Sequence, residues 1–387
     1  MSTGSTGKQH VNRRELLRRS ALGGLGVVGI SPLASMLDRS AAFASSVGAS
    51  GGGMAALIAA AKKEGHLNAI ALPRDWANYG EIMDTFQSMY GITVNDTNPD
   101  GSSAVELQSL ITLKGQSRAP DCVDVSPPFA AKGKTQGLYT PYKVATWETI
   151  PANMKDANGY WAGDYWGVQS FLTVTSVVKE APRDWSDLTS PKLRGMVAID
   201  GDPRLAGDAF AAVMSASLAN GGSLDNIAPG IAFFANLKRI GNFNPTDAYP
   251  ANIAKGATPI AIKWDYLNLA TRDTLKGNPA VTVTIPKSGV YGGFYCQALS
   301  TTAPDPNAAK LWMEYLYSDA GQLLFLKGYT HPARYQDLVS HNKVPAALAK
   351  RLPPAASYKN VTFASQKQIA AASQVLQEQW GPKVSGS

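Results

Sequence analysis

Residues 54–72 read Met54-Ala55-Ala56-Leu57-Ile58-Ala59-Ala60-Ala61-Lys62-Lys63-Glu64-Gly65-His66-Leu67-Asn68-Ala69-Ile70-Ala71-Leu72. The first part is alanine-rich, carries two lysines in what would be its last turn, and stops at a glycine. Alanine favours helix, cations suit the carboxyl end of the helix dipole, and glycine suits the cap. His66 to Leu72 then reads as a strand. The pattern continues downstream. Ile82, Met83, Phe86 and Met89 space one apolar face of a helix that Gly91 stops, and Ile92-Thr93-Val94 gives a second strand. Ala104 to Leu113 predicts a helix and Asp121 to Val125 a third strand. Strands alternating with helices predict a parallel sheet covered by helices.

Further along, the chain changes character. Val168 to Val178 is a long β-rich run, entered through Trp161, Tyr165 and Trp166. Met196 to Ile199 and Thr258 to Ile262 read as strands, with helices over Asp208 to Leu218, Ile227 to Ile240 and Asn268 to Thr274. This predicts a second α/β unit with its own core. Val281 to Ile285 and Gly293 to Leu299 read as strands returning to the first unit. Amphipathic helices come next over Ala308 to Leu316, Ala320 to Leu326 and Gln366 to Gln379. A chain of 387 residues with 44% hydrophobic and 17% charged residues suits two such units and excludes a disordered or coiled-coil protein.

The amino terminus reads as an address. Arg13 and Arg14 precede the weakly apolar, glycine-rich run Ala21 to Leu37, and Ala42-Phe43-Ala44 offers a small-x-small cleavage pattern. Adjacent arginines before a modestly apolar segment resemble a twin-arginine (Tat) export signal spanning residues 1–44, cleaved after Ala44. A retained anchor is disfavoured, because 17 residues with four glycines and a proline make a poor membrane span. Residues 45–53 read as a flexible linker. The signal carries six basic and two acidic residues, so the formal charge falls from +7 to +3 without it. No basic cluster interleaved with aromatics calls for nucleic acid.

Three phrases carry a family resemblance. Residues 159–167, Gly-Tyr-Trp-Ala-Gly-Asp-Tyr-Trp-Gly, form a Trp/Tyr-Gly turn. Asp184-Trp185-Ser186-Asp187-Leu188 leads to Pro191 and Gly195. Ala308 to Gln322 has the form A…F-x-x-F-L-x-S-x-x-G-Q, with Trp312 and Tyr315 at the aromatic places. In this order, behind an export signal, they resemble the extracellular solute-binding proteins of ABC importers, in the branch with ferric-ion and spermidine/putrescine binders. The resemblance covers roughly residues 54–380 and implies an α/β fold of two lobes, type II-like, each a mixed sheet flanked by helices. It implies lobes of 54–168 plus 286–320 and of 169–285 plus 321–387, with a ligand cleft between them. It also implies a periplasmic or extracellular monomer that hands a small solute to an ABC permease after export by the Tat translocase. No cofactor and no resident metal are implied.

Ligands of open α/β sheets sit beyond the carboxyl ends of strands, which selects candidates for the cleft. They are Arg74, Asp75 and Trp76 after the first strand, Ser102 and Ser103 after the second, and Ser126 after the third. In the second unit they are Asp202, Arg204 and Asp208, then Trp264, Asp265 and Tyr266, with Tyr291 at the return crossing. Each has a bland counterpart, namely helix capping for the serines and aspartates and core packing for the aromatics. Ferric binders of this branch resemble the chain at Tyr266, but Asp265 stands where their first tandem tyrosine would lie, and Ser126 replaces an acidic or histidine ligand. An aspartate beside a tryptophan and a tyrosine suits an ammonium group, through charge-assisted hydrogen bonds and cation–π attraction. A polyamine-like cation is therefore the expected ligand. The alternatives are ferric ion, or a small carboxylate or phosphonate clamped by Arg74 and Arg204. An exported hydrolase or transferase is the alternative class, although no hydrolase elbow, zinc-protease or nucleotide-binding motif is found. Whether Cys122 and Cys296 pair is left open by the sequence.

Overall fold

The computed structural model describes residues 51–386, so the expected signal over 1–44 and the start of the linker lie outside them. The first helix, Gly51–Glu64, begins within the expected linker, three residues earlier than its alanine run suggests. The strands are β1 His66–Ile70, β2 Thr93–Thr97, β3 Cys122–Val125, β4 Tyr139–Thr140, β5 Ala162–Val174, β6 Val197–Ile199, β7 Ile260–Trp264, β8 Val281–Thr284, β9 Gly292–Ser300 and β10 His331–Pro332. β1 and β2 pair with each other, and the larger sheet runs β3-β9-β5-β7-β6. β4 joins it at β9, while β8 and β10 join it at β5.

The expected parallel pairing holds for β1 with β2 and for β6 with β7. Elsewhere the pairing is antiparallel, with β3 on β9 and β5 on β7, β8 and β9. The reason is connectivity. β5 and β9 traverse the sheet directly, without the crossover helix that a parallel return requires. β5 also changes partner along its length. Gly167 and Val168 face Gly293 and Gly292 of β9, whereas Gln169 faces Trp264 and the strand then follows β7. Of its 13 residues only Trp166 is partly exposed. The strand is buried on both faces although it carries Asp164, Gln169, Ser170 and Thr173 among its apolar residues.

Each end of β5 has its own aromatic core. Toward the second half, Trp185 is buried edge-on between Phe171 and Phe233, at 5.2 and 5.8 Å between ring centroids. In the first half, Phe86 of helix Tyr79–Tyr90 contacts Trp312 and Tyr315 of helix Pro306–Leu316 at 5.1 and 5.5 Å. The next helix, Asp319–Lys327, also lies on Tyr79–Tyr90. Asn78 Nδ2 donates to the Leu324 carbonyl at 3.0 Å, Lys327 pairs with Glu81 at 2.7 Å, and Phe325 meets Tyr79 edge-on. The lobe boundary expected at residue 320 thus falls inside continuous first-half packing.

Two further helices bridge the halves or border the seam between them. Pro127–Thr135 starts on two prolines after Ser126. Proline suits the first helical turn because its missing N–H would be unpaired there anyway. Gln366–Trp380 opens on a capping box between Ser365 and Gln368 and packs against both Pro127–Thr135 and Ala228–Arg239. Its Trp380 sits 5.6 Å from Phe234, and Gln377 donates to the Arg204 carbonyl at 2.9 Å.

The cysteines are both free and buried. Cys122 faces Leu299 and Cys296 faces Val125, three positions apart on the β3–β9 ladder. At about 3.4 Å per residue their backbones lie about 10 Å apart, beyond disulfide reach. We expect the native protein to resist thiol-specific reagents. The denatured chain should titrate as two thiols without prior reduction.

Candidate functional site

The ends of β3, β7 and β9 meet the start of helix Gly207–Ala219 around a cavity of about 20 Å³, walled by Ser126, Gly207, Phe210, Trp264, Tyr291 and Tyr295. That is room for one water. Glycine permits the approach. A Cβ on Gly207 would lie 2.5 Å from Ser126 Cβ, and one on Gly293 would lie 2.3 Å from the Trp264 ring. The two halves therefore touch here through backbone and ring faces.

Aromatic rings extend the seam. Trp76 stands edge-on to Tyr266 and Tyr295 at 6.1 and 5.4 Å and donates from Nε1 to the Tyr165 hydroxyl at 2.7 Å. Tyr165 stacks on Tyr295 at 6.2 Å, and Tyr266 on Trp264 at 6.2 Å. The Tyr266 hydroxyl and Ser126 Oγ are buried with no hydrogen-bond partner.

Carboxylates surround these rings. Asp208, in the first turn of its helix, accepts from Gln169 Nε2 at 2.7 Å and from the Trp264 N–H at 3.0 Å, both on Oδ1. Its Oδ2 is buried and unpartnered, as is Oδ1 of Asp124. Burial, then the neighbouring Asp200, pushes the Asp208 carboxyl well above the ordinary carboxylate range. Lys263 is buried and pairs with Asp200 at 2.8 Å while donating to the Ala248 carbonyl. An unpaired buried carboxylate oxygen is costly. A cation or hydrogen-bond donor entering the seam would relieve that cost.

Of the residues singled out from sequence, Ser126, Asp208, Trp264, Tyr266 and Tyr291 converge on the seam, with Trp76 at its side. Ser103 lies behind it, its Oγ accepting from the Ser126 N–H at 3.0 Å, and Ser102 flanks helix Ser103–Thr112 without a side-chain cap bond. Arg74 and Asp75 line a separate open groove with Asp96 and Asp100, and Arg74 pairs with Asp84 at 2.5 Å. Arg204 pairs with Asp202 at 2.6 Å. Both arginines of the expected anion clamp are thus engaged by neighbouring aspartates. Asp265 departs most from expectation. It is fully buried, Oδ1 accepting from the Val168 N–H at 3.0 Å and Oδ2 from the Tyr358 hydroxyl at 2.6 Å. Both oxygens are occupied by the protein itself. Burial raises its carboxyl to about 6 against those hydrogen bonds.

Sequence reading missed Tyr79, Asp164, Tyr165 and Gln297, which join in one hydrogen-bonded cluster with Asp124 beneath the aromatic rings. A signal existed. Asp164 is the one acid of a buried strand, and fully buried acids are rare without a task.

A family model described as bacterial extracellular solute-binding protein matches residues 117–368 of the chain. A Salmonella typhimurium relative named "Putative 2-aminoethylphosphonate-binding periplasmic protein" is 27% identical over 251 residues, 63% of this chain and 70% of that one. The periplasmic binding protein AfuA from Actinobacillus pleuropneumoniae, solved with fructose-6-phosphate, superposes with a TM-score of 0.67 at 17% identity, covering 83% of this chain and 99% of that one. The spermidine/putrescine ABC transporter substrate-binding protein PotD from Streptococcus pneumoniae gives a TM-score of 0.56 at 15% identity, covering 82% and 99%. These structural likenesses fix the fold as the two-lobe fold of periplasmic binding proteins.

Asp265→Ala should act first on stability. It strips two buried donors of their acceptor and should cost about 2–3 kcal/mol, read as a lowered urea midpoint. An unchanged midpoint would contradict the structural role given to Asp265.

Proposed function

Because the chain belongs to the bacterial extracellular solute-binding proteins, a family of binders and not of enzymes, we propose that it captures a small cationic solute, polyamine-like, in the seam and delivers it to an ABC permease. The observation that carries this reading is the buried, unpartnered Oδ2 of Asp208 beside Trp264 and Tyr266. Asp124 offers a second unpartnered oxygen from the opposite half. The nearby lysine, Lys263, is held by Asp200 and leaves the excess acidity in place. Ring faces then supply cation–π attraction to an ammonium. With a cavity of one-water size, capture requires the halves to part and close again around the solute.

An amino-phosphonate is the second reading. It is favoured by the printed name of the Salmonella typhimurium relative, and its ammonium would use the same carboxylates. Ferric ion is the third ligand to test, because Tyr266 keeps a free buried hydroxyl.

The family is periplasmic or extracellular, and among the described residues no helix is long and apolar enough to cross a membrane. Export through the Tat translocase, cleavage after Ala44 and action as a monomer complete the proposal. Arg13→Lys with Arg14→Lys should leave the unprocessed chain inside the cell. The exported wild type should begin at Ser45 by mass spectrometry.

A thermal-shift titration of the purified protein with spermidine, 2-aminoethylphosphonate and ferric citrate separates the ligand readings. Spermidine should raise the unfolding midpoint, and Asp208→Asn should weaken its binding by about tenfold or more. Unweakened spermidine binding in Asp208→Asn would place the cation elsewhere.

A further inference from the structure

Beneath the aromatic rings, two aspartates share one phenol. Tyr79 Oη lies 2.8 Å from Asp124 Oδ2 and 3.0 Å from Asp164 Oδ2, and all three side chains are buried. A phenol has a single proton to donate, so it satisfies one carboxylate at a time. Gln297 Nε2 donates to the phenol oxygen at 2.9 Å and to Asp164 Oδ2 at 3.2 Å. Tyr165, which accepts from Trp76 Nε1, donates to Asp124 Oδ2 at 3.2 Å. A chain of hydrogen bonds therefore runs from the carboxyl pair to the Trp76 edge of the seam.

Two ionised carboxylates so close, away from water, cannot persist without a counter-charge. None is supplied. Among the described residues neither aspartate makes an ion pair. The titratable groups that face them are the phenols of Tyr79, Tyr165, Tyr266, Tyr295 and Tyr317, the thiols of Cys122 and Cys296, and the buried Glu106. Every one is an acid, and Glu106 already accepts from the Asp124 N–H at 2.9 Å.

We propose that Asp124 and Asp164 share a proton through Tyr79 and act as positioning residues, holding Tyr165 and Trp76 as one wall of the solute seam. This rests on the reading that the seam binds solute. When the pair loses its proton, repulsion between the carboxylates loosens Tyr165 and, through it, Trp76. Burial pushes Asp124 up to about 7 and, with Asp124 beside it, raises Asp164 well above the ordinary range. The folded protein thus binds a proton that the unfolded chain, with a carboxyl near 3.9, releases. The stability owed to that proton is full below about pH 4 and is lost as the pH rises through 7 and above.

The test sets wild type against Asp164→Asn, which keeps the shape and removes the shared charge. Unfolding midpoints of the ligand-free protein should diverge as pH rises from 5 to 9, the variant gaining on the wild type. Spermidine affinity, measured at pH 6 and 8.5, should shift in favour of the variant by about threefold or more over that range. Asp208 titrates identically in both proteins and cancels. Equal pH slopes for the two midpoints overturn the proposal. If spermidine binds neither protein at any pH, the polyamine reading falls. The pair is then judged by a double-mutant cycle with Trp76→Phe, where additive effects on the midpoint at pH 8.5 would refute the positioning role. Should Asp164→Asn fail to fold, Tyr79→Phe replaces it. Loss of the bridging hydroxyl must steepen the decline with pH, and an unaltered slope counts against the pair.

Discussion

The structure turns on the hydrogen bond from the Val168 N–H to Asp265 Oδ1. β5 changes partner at this residue, leaving β9 and taking up β7. β7 ends at Trp264, so the ladder has no backbone acceptor to offer Val168. A buried N–H without an acceptor is not tolerated. Asp265, the first residue of the following helix, fills the gap with its side chain, and Tyr358 fixes the other oxygen. A carboxylate thereby closes the gap where β5 passes from one partner to the other. Trp264, the residue before it, is set on the seam by the same geometry.

Electrostatics then decides what the seam is fit to hold. Asp124 comes from β3, Asp164 from β5 and Asp208 from helix Gly207–Ala219, while Asp200 follows β6. Lys263 is paired with Asp200 and only partly offsets the charge of Asp208. Burial, with a neighbouring aspartate beside Asp164 and Asp208, raises the carboxyls of Asp124, Asp164 and Asp208 against the hydrogen bonds they accept. Aromatic side chains fill the space between. They exclude water without supplying a compensating cation. On the proposed reading, such a site favours an incoming positive group over an anion that lacks its own ammonium.

Much of this was legible in the chain. Alanine, lysine and glycine marked the first helix, and period-3.6 patterns marked Tyr79–Tyr90 and Gln366–Trp380. The phrase around Trp185 carried the family resemblance, and the structure buries that ring against Phe171 of β5. Asp265 stands as a helix start for a specific reason. The sequence predicts the strand to end at Ile262, but it continues to Trp264, so the helix starts directly at Asp265. The carboxyl pair could not be read at all. Its members lie 45 and 85 residues from Tyr79, and only the fold brings them to one hydroxyl. Cys122 and Cys296, left open by composition, were decided by strand register alone.

The helix Gln366–Trp380 has a consequence for the order in which the protein is made. Ile369 lines the cavity, and its helix rests on Pro127–Thr135 and Ala228–Arg239 together. Residues through this helix must therefore leave the ribosome before the chamber has all its sides. A nascent protein can assemble most of its sheet and still have no place to hold a guest. Competence to bind waits for this helix to be made.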